Sequence, residues 1–376
     1  MIYELLYPLS QEYAWASSFN VLRYTPFRAI MATLTAMLMS FLVAPWFIKK
    51  LKGKQISQII REEGPASHFS KRGTPTMGGA LILASLLVPT VLWADVKNVF
   101  VVATTAVTAG YGLVGFIDDR LKIAGSNTRG LPGRYKLLGQ FTIGGFAMAY
   151  LFLNEPALPK AWLEIRTRLA IPFVAFDKYP LELPLFVYIL FAVFVVVAMS
   201  NAVNLTDGLD GLAIGPVMIN AGTYLLWAYI AGSVLFGRPL SGYLDIAGIP
   251  EMAELSVYAA AMIGAGMGFL WYNTYPAQVF MGDVGSLALG GGLGMLAVLT
   301  KTEFLSLILG GIFVVEAVSV VTQVVSFRLF KKRVFLMAPI HHHFEKKGWP
   351  EPRIIVRFWI ISILLALVAL SSLKLR

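Results

Sequence analysis

Ten long apolar stretches limit what this chain can fold into more than any other feature of its sequence. Each is close to the roughly 20 apolar residues that an α-helix needs to cross a lipid bilayer. Charged residues make up only 14% of the 376 residues, against about 25% in soluble domains. We therefore predict an all-α integral membrane protein, a polytopic bundle of about ten transmembrane helices that forms a single domain over residues 1–376. The stretches are 27–48, 77–94, 98–117, 137–153, 184–203, 211–231, 255–271, 284–300, 304–327 and 354–373.

Basic residues are concentrated in one of the two sets of loops. Ten spans place both termini on one side of the membrane and the loops after the odd-numbered spans on the other side. Those loops and their flanks carry 20 of the 31 Lys and Arg residues, which by the positive-inside rule makes them cytoplasmic. The net charge of +10 therefore indicates topology and contacts with anionic lipids or phosphates, and not binding of nucleic acid.

A pair of carboxylates, Asp118 and Asp119, follows the third apolar stretch. Adjacent carboxylates at a membrane boundary repel each other unless a cation, a proton or a base lies between them. Oxygen ligands of this kind suit Mg²⁺, and the absence of cysteine excludes a thiolate site. The alternative interpretation is a polar helix end that marks the membrane interface.

Asn204, Asp207 and Asp210 follow the fifth apolar stretch at intervals of three residues. On a helix this spacing lines one face with hydrogen-bond acceptors, and Gly208 and Gly211 leave room for a ligand or permit a turn. The alternative interpretation is an Asx- and Gly-rich turn that caps the next helix.

The loop after the seventh stretch contains Asn273, Phe280 and Asp283. Asp283 directly precedes a predicted helix, so an N-cap is its default role, and Phe280 is either a buried anchor or a surface on which a base stacks. For each residue alone a structural role is the simpler explanation. Their shared position on the side of the other carboxylates favours a common site.

Three consecutive histidines, His341, His342 and His343, lie between the basic runs 331–333 and 346–347. Three neighbours in sequence cannot share one helical face, so a zinc site built from this run alone is not expected. Hydrogen bonding to phosphate, proton transfer and anchoring of the loop all remain open.

Two further segments carry polar side chains beside apolar spans. Lys71 and Thr76 precede the second span, where they either contact a phosphate or headgroup or belong to a glycine-rich segment that eases helix packing. Glu316 lies inside the ninth span with Gln323 seven residues later on the same helical face. A carboxylate at that depth faces the bundle interior or a wet groove, so a substrate groove and a structural contact are both open.

Together these motifs resemble the polyprenyl-phosphate N-acetylhexosamine-1-phosphate transferase superfamily. The resemblance covers about residues 20–376, and it includes the acidic pair at 118–119, which is shared across that superfamily. The APIHHH segment is similar to that of its phospho-N-acetylmuramoyl-pentapeptide transferase (translocase I) family. The matching segments are 73–79 (GTPTMGG), 118–119 (DD), 204–212 (NLTDGLDGL), 280–286 (FMGDVGS) and 338–343 (APIHHH).

The resemblance implies a homodimer of ten-helix chains in the bacterial inner membrane, with both termini periplasmic and the active site facing the cytoplasm. It implies transfer of phospho-N-acetylmuramoyl-pentapeptide from UDP-MurNAc-pentapeptide to undecaprenyl phosphate, which forms lipid I and UMP. The cofactor implied is Mg²⁺, and the processes are peptidoglycan synthesis, cell shape and cell division. Membrane lipids are expected as further partners.

The same resemblance implies a role for thirteen side chains, and Thr76 and Gln323 are further substrate-binding candidates because of their own positions beside or inside the spans. Among them, Asp283 is the expected Mg²⁺ ligand, and Phe280 is expected to stack on uracil. The residues expected in catalysis are Asp118, Asp119, Asp283, His341, His342 and His343. The residues expected in substrate binding are Lys71, Thr76, Lys136, Asn204, Asp207, Asp210, Asn273, Phe280 and Gln323.

Three other functions compete with this interpretation. Transfer of a different sugar phosphate is disfavoured by the histidine triplet. A lipid transporter would need polar residues through the membrane depth, whereas here Glu316 is nearly alone at depth. A scaffolding protein gives no reason for so many carboxylates on one side. The sequence does not decide between a one-step and a covalent two-step transfer.

Overall fold

A computed structural model describes residues 1–53, 71, 73–125, 130–178, 181–235 (backbone only at 235) and 237–375, and the chain in these ranges is almost entirely helical. Two short antiparallel hairpins pair β1 with β2 and β3 with β4. The strands are β1 (Arg168–Leu169), β2 (Leu181–Glu182), β3 (Val234–Leu235) and β4 (Arg238–Pro239). The helices are α1 (Ile2–Glu12), α2 (Thr25–Gly53), α3 (Gly79–Trp93), α4 (Val99–Ala124), α5 (Gly133–Leu153), α6 (Lys160–Ile165), α7 (Leu185–Thr206), α8 (Ile214–Gly232), α9 (Leu240–Tyr243), α10 (Leu255–Asn273), α11 (Gly282–Leu299), α12 (Leu305–Leu309), α13 (Gly311–Phe330), α14 (Ile340–Lys346) and α15 (Glu351–Ser371).

All ten predicted spans correspond to helices within the described ranges. Nine of them are long and apolar enough to cross a membrane, which makes the chain a multi-pass membrane protein. The second predicted span is the exception, because α3 has 15 residues and extends only about 22 Å at 1.5 Å per residue. Nine of the ten predicted crossings are therefore supported within the described ranges, and a crossing by α3 stays a prediction.

Helix α11 is the centre of the bundle. Every residue from Val284 to Leu299 is buried, and the helix packs most extensively against α4 and α7. Three glycines make this possible, since a Cβ at Gly290 would lie 2.6 Å from the Ser200 Cα and one at Gly292 would lie 2.2 Å from the Tyr258 hydroxyl. Residues 290–292 therefore allow the neighbouring helices to approach closely.

The ninth predicted span is interrupted at Gly310. Helix α12 ends there and α13 begins at the next residue, and the Gly310 N–H still bonds back to the Ser306 carbonyl. A side chain at Gly311 would lie 2.8 Å from Leu365 of α15, so α13 begins in close contact with α15. Only four of the 20 residues of α13 are buried.

Contacts between helix ends show that the functional motifs share one side of the bundle. The end of α4 and the beginnings of α5 and α11 meet through Lys122, Lys136 and Asp283. The beginning of α15 meets the segment before α3 through Glu351 and Lys71. The longest loop at the other side, 154–183, contains α6 and the β1–β2 hairpin.

Candidate active site

Three carboxylates from two helices form the core of the site. Asp118 and Asp119 lie inside α4, about one and a half turns before its end, and Asp283 lies in the first turn of α11. One oxygen from each lies within 4.8 Å of the other two. Asp118 and Asp119 are almost completely buried, so α4 continues past its predicted end and the pair is not merely an exposed interface marker.

Two lysines partly neutralise these carboxylates. The Lys122 ammonium contacts Asp118 and lies 3.1 Å from Asp283 Oδ2, and the Lys136 ammonium lies 2.7 Å from the same oxygen. Three carboxyl groups lie against only two ammonium groups, an arrangement that favours a further cation. Lys122 was not predicted as a site residue, because in the sequence it resembles the other basic residues of the predicted cytoplasmic loops.

Asn204 connects α7 to this cluster. Its amide nitrogen donates to Asp283 Oδ1 at 2.8 Å and to Ser286 Oγ at 2.8 Å, and its oxygen accepts from Lys136 Nζ at 3.4 Å. Asp283 is therefore held by side chains from three other helices or helix ends. It lies within α11 and makes no capping bond, so its expected role as an N-cap is wrong.

The predicted helical face with Asn204, Asp207 and Asp210 is wrong. Helix α7 ends at Thr206, and Asp207 is the C-cap with φ −78° and ψ 54°. Gly211 has a positive φ of 77°, which favours glycine in a turn. Asn204 therefore faces the carboxylate cluster while Asp210 faces another part of the site. The segment is a turn, as the alternative interpretation had it, but none of its side chains caps α8.

Asp207 has the most perturbed pKa among the carboxyl groups outside the spans in the part of the chain that the structure describes. Burial, together with the neighbouring charges of Asp283 and Asp119, raises its pKa to about 8. The Gly282 N–H hydrogen-bonds to it. Gly282 has a φ of 71°, and a Cβ there would lie 2.5 Å from Asp119 Oδ2, so this glycine lets the chain pass closely between carboxylates.

The glycine-rich segment before α3 pairs with the loop before α11. Phe280 N–H donates to the Pro75 carbonyl, and the Gly78 and Gly79 N–H groups donate to the Phe280 and Met281 carbonyls, all at 2.8 Å. A Cβ at Gly79 would lie 2.0 Å from Gly285 N. The packing interpretation of these glycines is therefore correct, and Thr76 is buried beside Gly282.

Lys71 lies in a second charged group on the same side. Its ammonium donates to Asp210 Oδ1 at 2.8 Å and to Glu351 Oε2 at 2.6 Å. Although burial opposes it, hydrogen bonding to these two carboxylates raises the pKa of Lys71. Glu351 was missed in the sequence because it stands alone at the beginning of the last span.

Asn273 crosslinks the turn after α7 to the loop before α11. Its oxygen accepts from the Gly211 N–H and its nitrogen donates to the Val279 carbonyl, both at 2.9 Å, and the side chain is buried. The amide is thus already used by the backbone. Phe280 is half-buried in the neighbouring backbone ladder, and contacts of both residues with substrate stay predictions.

The histidines point in different directions, as expected for consecutive residues. His341 is buried, with Nδ1 3.1 Å from Glu316 Oε2, and it fills the space beside Gly208, whose Cβ would lie 2.1 Å from Nε2. His342 Nδ1 contacts Glu345 at 2.6 Å. His343 accepts from the Leu336 N–H, and burial and Lys347 lower its pKa.

Gln323 is placed away from the carboxylates by its own hydrogen bonds. Its oxygen accepts from the Val334 and Phe335 N–H groups, and its nitrogen donates to the Phe335 carbonyl. These bonds fix the loop that leads from α13 to α14. Binding of substrate by Gln323 stays a prediction, and in this structure the amide anchors the loop.

A layer of buried amides lies one helical turn deeper than Lys136 and Asn204. The Gln140 nitrogen donates to Ser200 Oγ at 3.0 Å, and the Asn201 nitrogen donates to the Gln140 oxygen at 2.8 Å. Gln140 follows Lys136 by four residues and Ser200 precedes Asn204 by four. The layer therefore fixes α5 against α7 just beneath the site. No motif in the sequence predicted these hydrogen bonds.

Comparison with known proteins identifies the class of enzyme to which this membrane-embedded carboxylate site belongs. Residues 101–301 match the profile of glycosyl transferase family 4, which makes this multi-pass bundle a membrane-embedded glycosyl transferase. Residues 71–83 match signature 1 of the phospho-N-acetylmuramoyl-pentapeptide-transferases. The chain belongs to the phospho-N-acetylmuramoyl-pentapeptide-transferase family and is an enzyme.

Relatives in this family match over their full length. The chain is 72% identical to the phospho-N-acetylmuramoyl-pentapeptide-transferase of Sorangium cellulosum, over 100% of both proteins. It is 55% identical to the protein of that name from Geobacter sp. strain M21 and 52% identical to that from Pelobacter propionicus, again over 100% of each. The resemblance found in the sequence motifs is therefore confirmed.

Proposed function

We propose that this enzyme transfers phospho-N-acetylmuramoyl-pentapeptide from its UDP carrier to undecaprenyl phosphate, with lipid I and UMP as products, in peptidoglycan synthesis. The observation that carries the proposal is the cluster of Asp118, Asp119 and Asp283 with Lys136 at one end of a membrane bundle. A lipid phosphate and a soluble nucleotide can meet only at such a boundary. Their mutual repulsion requires groups that bind and neutralise phosphate charge.

The carboxylate cluster fits Mg²⁺. Its donors are oxygens, which this ion prefers, and the buried Asp118 Oδ2 contacts the Lys122 ammonium but is left with capacity to bind an ion. We assign the ion to Asp283, with Asp118 and Asp119 beside it. Bound there, Mg²⁺ would neutralise diphosphate charge and stabilise the UMP leaving group.

The remaining roles follow from where each side chain lies. Lys136 sits beside Asp283 and can donate to a phosphate oxygen, while Asn204 keeps Asp283 oriented. Lys71 and Asp210, which are paired in the second charged group, would bind the uridine. His342 and His343 lie partly exposed on α14, where they can donate to phosphate or sugar oxygens.

Two routes fit these groups. In the first, an aspartate takes the proton of the lipid phosphate, which then attacks the β-phosphorus directly. In the second, an aspartate attacks first and forms a covalent phospho-enzyme that the lipid phosphate then cleaves. A substrate with a chiral thiophosphate at that phosphorus separates them, because inversion fits one displacement and retention fits two.

We place the site at the cytoplasmic face of the bacterial inner membrane, with both termini periplasmic, because 20 of the 31 basic residues lie beside the loops on this side. The chain has no cysteine, so single cysteines report sidedness directly. In spheroplasts, a membrane-impermeant maleimide should label Asp177→Cys, whose side chain is 89% exposed, but not the exposed Lys332→Cys. Reversed labelling contradicts the orientation.

We also propose that two copies associate in the membrane, on the basis of the family resemblance. Native mass spectrometry of the purified protein should give twice the mass of the 41.2 kDa chain. A chain mass alone across the concentration range contradicts the dimer.

The direct test of the reaction is release of UMP by the purified protein. The assay supplies UDP-MurNAc-pentapeptide, undecaprenyl phosphate and Mg²⁺, and its controls omit the lipid or add a chelator. UMP release that requires the lipid and the metal supports the proposal. Absence of metal-dependent UMP release from folded protein removes it.

A further inference from the structure

Two arginines at the beginning of α15 are stacked on one tryptophan. The guanidinium carbons of Arg353 and Arg357 lie 4.9 Å and 4.4 Å from a ring centroid of Trp349. Trp349 itself stacks on Phe344 of α14, with ring centroids 4.7 Å apart and an interplanar angle of 24°. Because stacking on an aromatic face holds a guanidinium plane in place, the two forked donors are aligned in advance.

Neither guanidinium is neutralised by a carboxylate in the part of the chain that the structure describes. Both arginines are exposed. The nearby Glu351 is paired with Lys71, and Glu345 contacts His342. Two uncompensated guanidiniums at a membrane boundary attract an anion, and their paired N–H groups match the oxygens of a phosphate.

An exposed apolar stripe continues from the two arginines along α15. Its members follow at helical spacings of three and four residues and therefore share one face. They lie within a helix that is long and apolar enough to cross the membrane. The stripe consists of Val356 (52% exposed), Ile360 (51%), Leu364 (56%) and Leu367 (58%).

The stripe borders an open groove of about 580 Å³, a volume that includes space open to solvent. Val356 belongs to both the stripe and the groove, and Trp359, Tyr275 and Leu270 form most of the remaining apolar wall. The carboxylate of Asp210 at the groove is already paired with Lys71. The groove thus offers a mainly apolar path that begins beside the arginines.

We propose that this surface binds an anionic membrane phospholipid. The phosphate of the headgroup lies between Arg353 and Arg357, and an acyl chain follows the stripe and the groove beside it. A zwitterionic lipid binds less well, because its headgroup carries a cation that the arginines repel. The occupant is a bulk phospholipid and not the polyprenyl substrate, since the two arginines that would hold its phosphate stack on Trp349 and make none of the ion pairs of the carboxylate cluster.

Native mass spectrometry of the delipidated full-length protein tests the proposal by titration with phosphatidylglycerol, phosphatidylcholine and undecaprenyl phosphate. The unchanged protein should bind phosphatidylglycerol best. The double variant Arg353→Gln/Arg357→Gln should lose roughly tenfold or more in affinity. Arg353→Lys/Arg357→Lys should also bind more weakly, because lysine keeps the charge but lacks the planar fork.

The matched control is Lys332→Gln/Arg333→Gln, which removes two exposed charges from the loop after α13 on the same side. It should bind phosphatidylglycerol like the unchanged protein. Equal loss in this control, or full binding by either arginine variant, overturns the proposal. Preferential binding of undecaprenyl phosphate that the arginine variants abolish overturns the choice of a phospholipid. Thermal unfolding of each variant verifies that it is folded.

Discussion

Replacing Gln140 by Met should impair the reaction, although we expect Gln140 to make no contact with a substrate. Gln140 is fully buried, and its amide joins Ser200 and Asn201 of α7 beneath the site. Methionine has nearly the same shape, so the change removes hydrogen bonds with little change in volume. The α5–α7 contact that places Lys136 against Asn204 then loses its polar crosslink.

The expected size of the effect follows from the bonds that are lost. Two hydrogen bonds disappear, while Ser200 keeps its bond to the Leu287 carbonyl and Asn201 keeps its bond to the Val197 carbonyl. At about 0.5–1.5 kcal/mol each, the free energy of unfolding should fall by about 1–3 kcal/mol. Misplacement of a positioned group by about 1 Å reduces turnover roughly a hundredfold, so a loss of kcat/KM of about tenfold to a hundredfold is expected.

A matched control separates positioning from stability. Asn220 is also a buried amide with two hydrogen bonds, to the Pro216 and Leu309 carbonyls, but it lies on α8 away from the carboxylates. Asn220→Leu should reduce thermal stability by a similar amount and leave the UMP release rate per folded enzyme nearly unchanged. Equal losses of activity in the two variants, or full activity of Gln140→Met, would refute the positioning role.

Three further predictions address other parts of the site. Gly282→Ala forces alanine into a positive φ, at a cost of about 1–2 kcal/mol, and places a Cβ against Asp119. UMP release should therefore fall at least roughly tenfold, and an unchanged rate contradicts the close packing at Gly282. Because burial and neighbouring carboxylates raise the pKa of Asp207 to about 8, the metal-free protein holds a proton there below pH 8. Apparent Mg²⁺ affinity by calorimetry should therefore increase with pH up to about 8, by at most about tenfold per unit, and Asp207→Asn should flatten this profile. Glu316→Ala removes a fully buried side chain that packs 3.1 Å from His341 Nδ1. The space it leaves should lower the free energy of unfolding by about 0.5–3 kcal/mol and speed proteolysis within 331–339; unaltered cleavage counts against the anchor.

The spans were predictable because membrane-spanning helices must be long and apolar. Each predicted stretch coincides with a helix, and errors lie where polar residues continue a helix beyond its apolar part. Helix α4 extends to Ala124 because Asp118, Asp119 and Lys122 satisfy one another at its end. Conversely, Gly310 divides the ninth predicted stretch into two helices, since hydropathy alone does not record where one helix ends and the next begins.

The site was predictable only as a set of candidates. Polar residues beside apolar stretches indicated Asp283 and Asn204 without showing that the two side chains touch. The three-residue spacing wrongly predicted that a helix continues through Asp207. Helix α7 ends before this residue, and a glycine-containing turn follows. Gln140 gave no signal, because a single amide inside an apolar stretch reveals its partners only in three dimensions.

The measurement that tests the account most directly is metal binding and UMP release by Asp283→Asn. Manganese, used as a paramagnetic substitute for magnesium, should bind the unchanged protein at one site per chain. The variant keeps the shape of Asp283 but removes its charge, so it should melt normally, lose this binding and release no UMP. An Asp283→Asn enzyme that binds the metal and turns over like the unchanged protein would contradict a magnesium site built from carboxylates of separate helices.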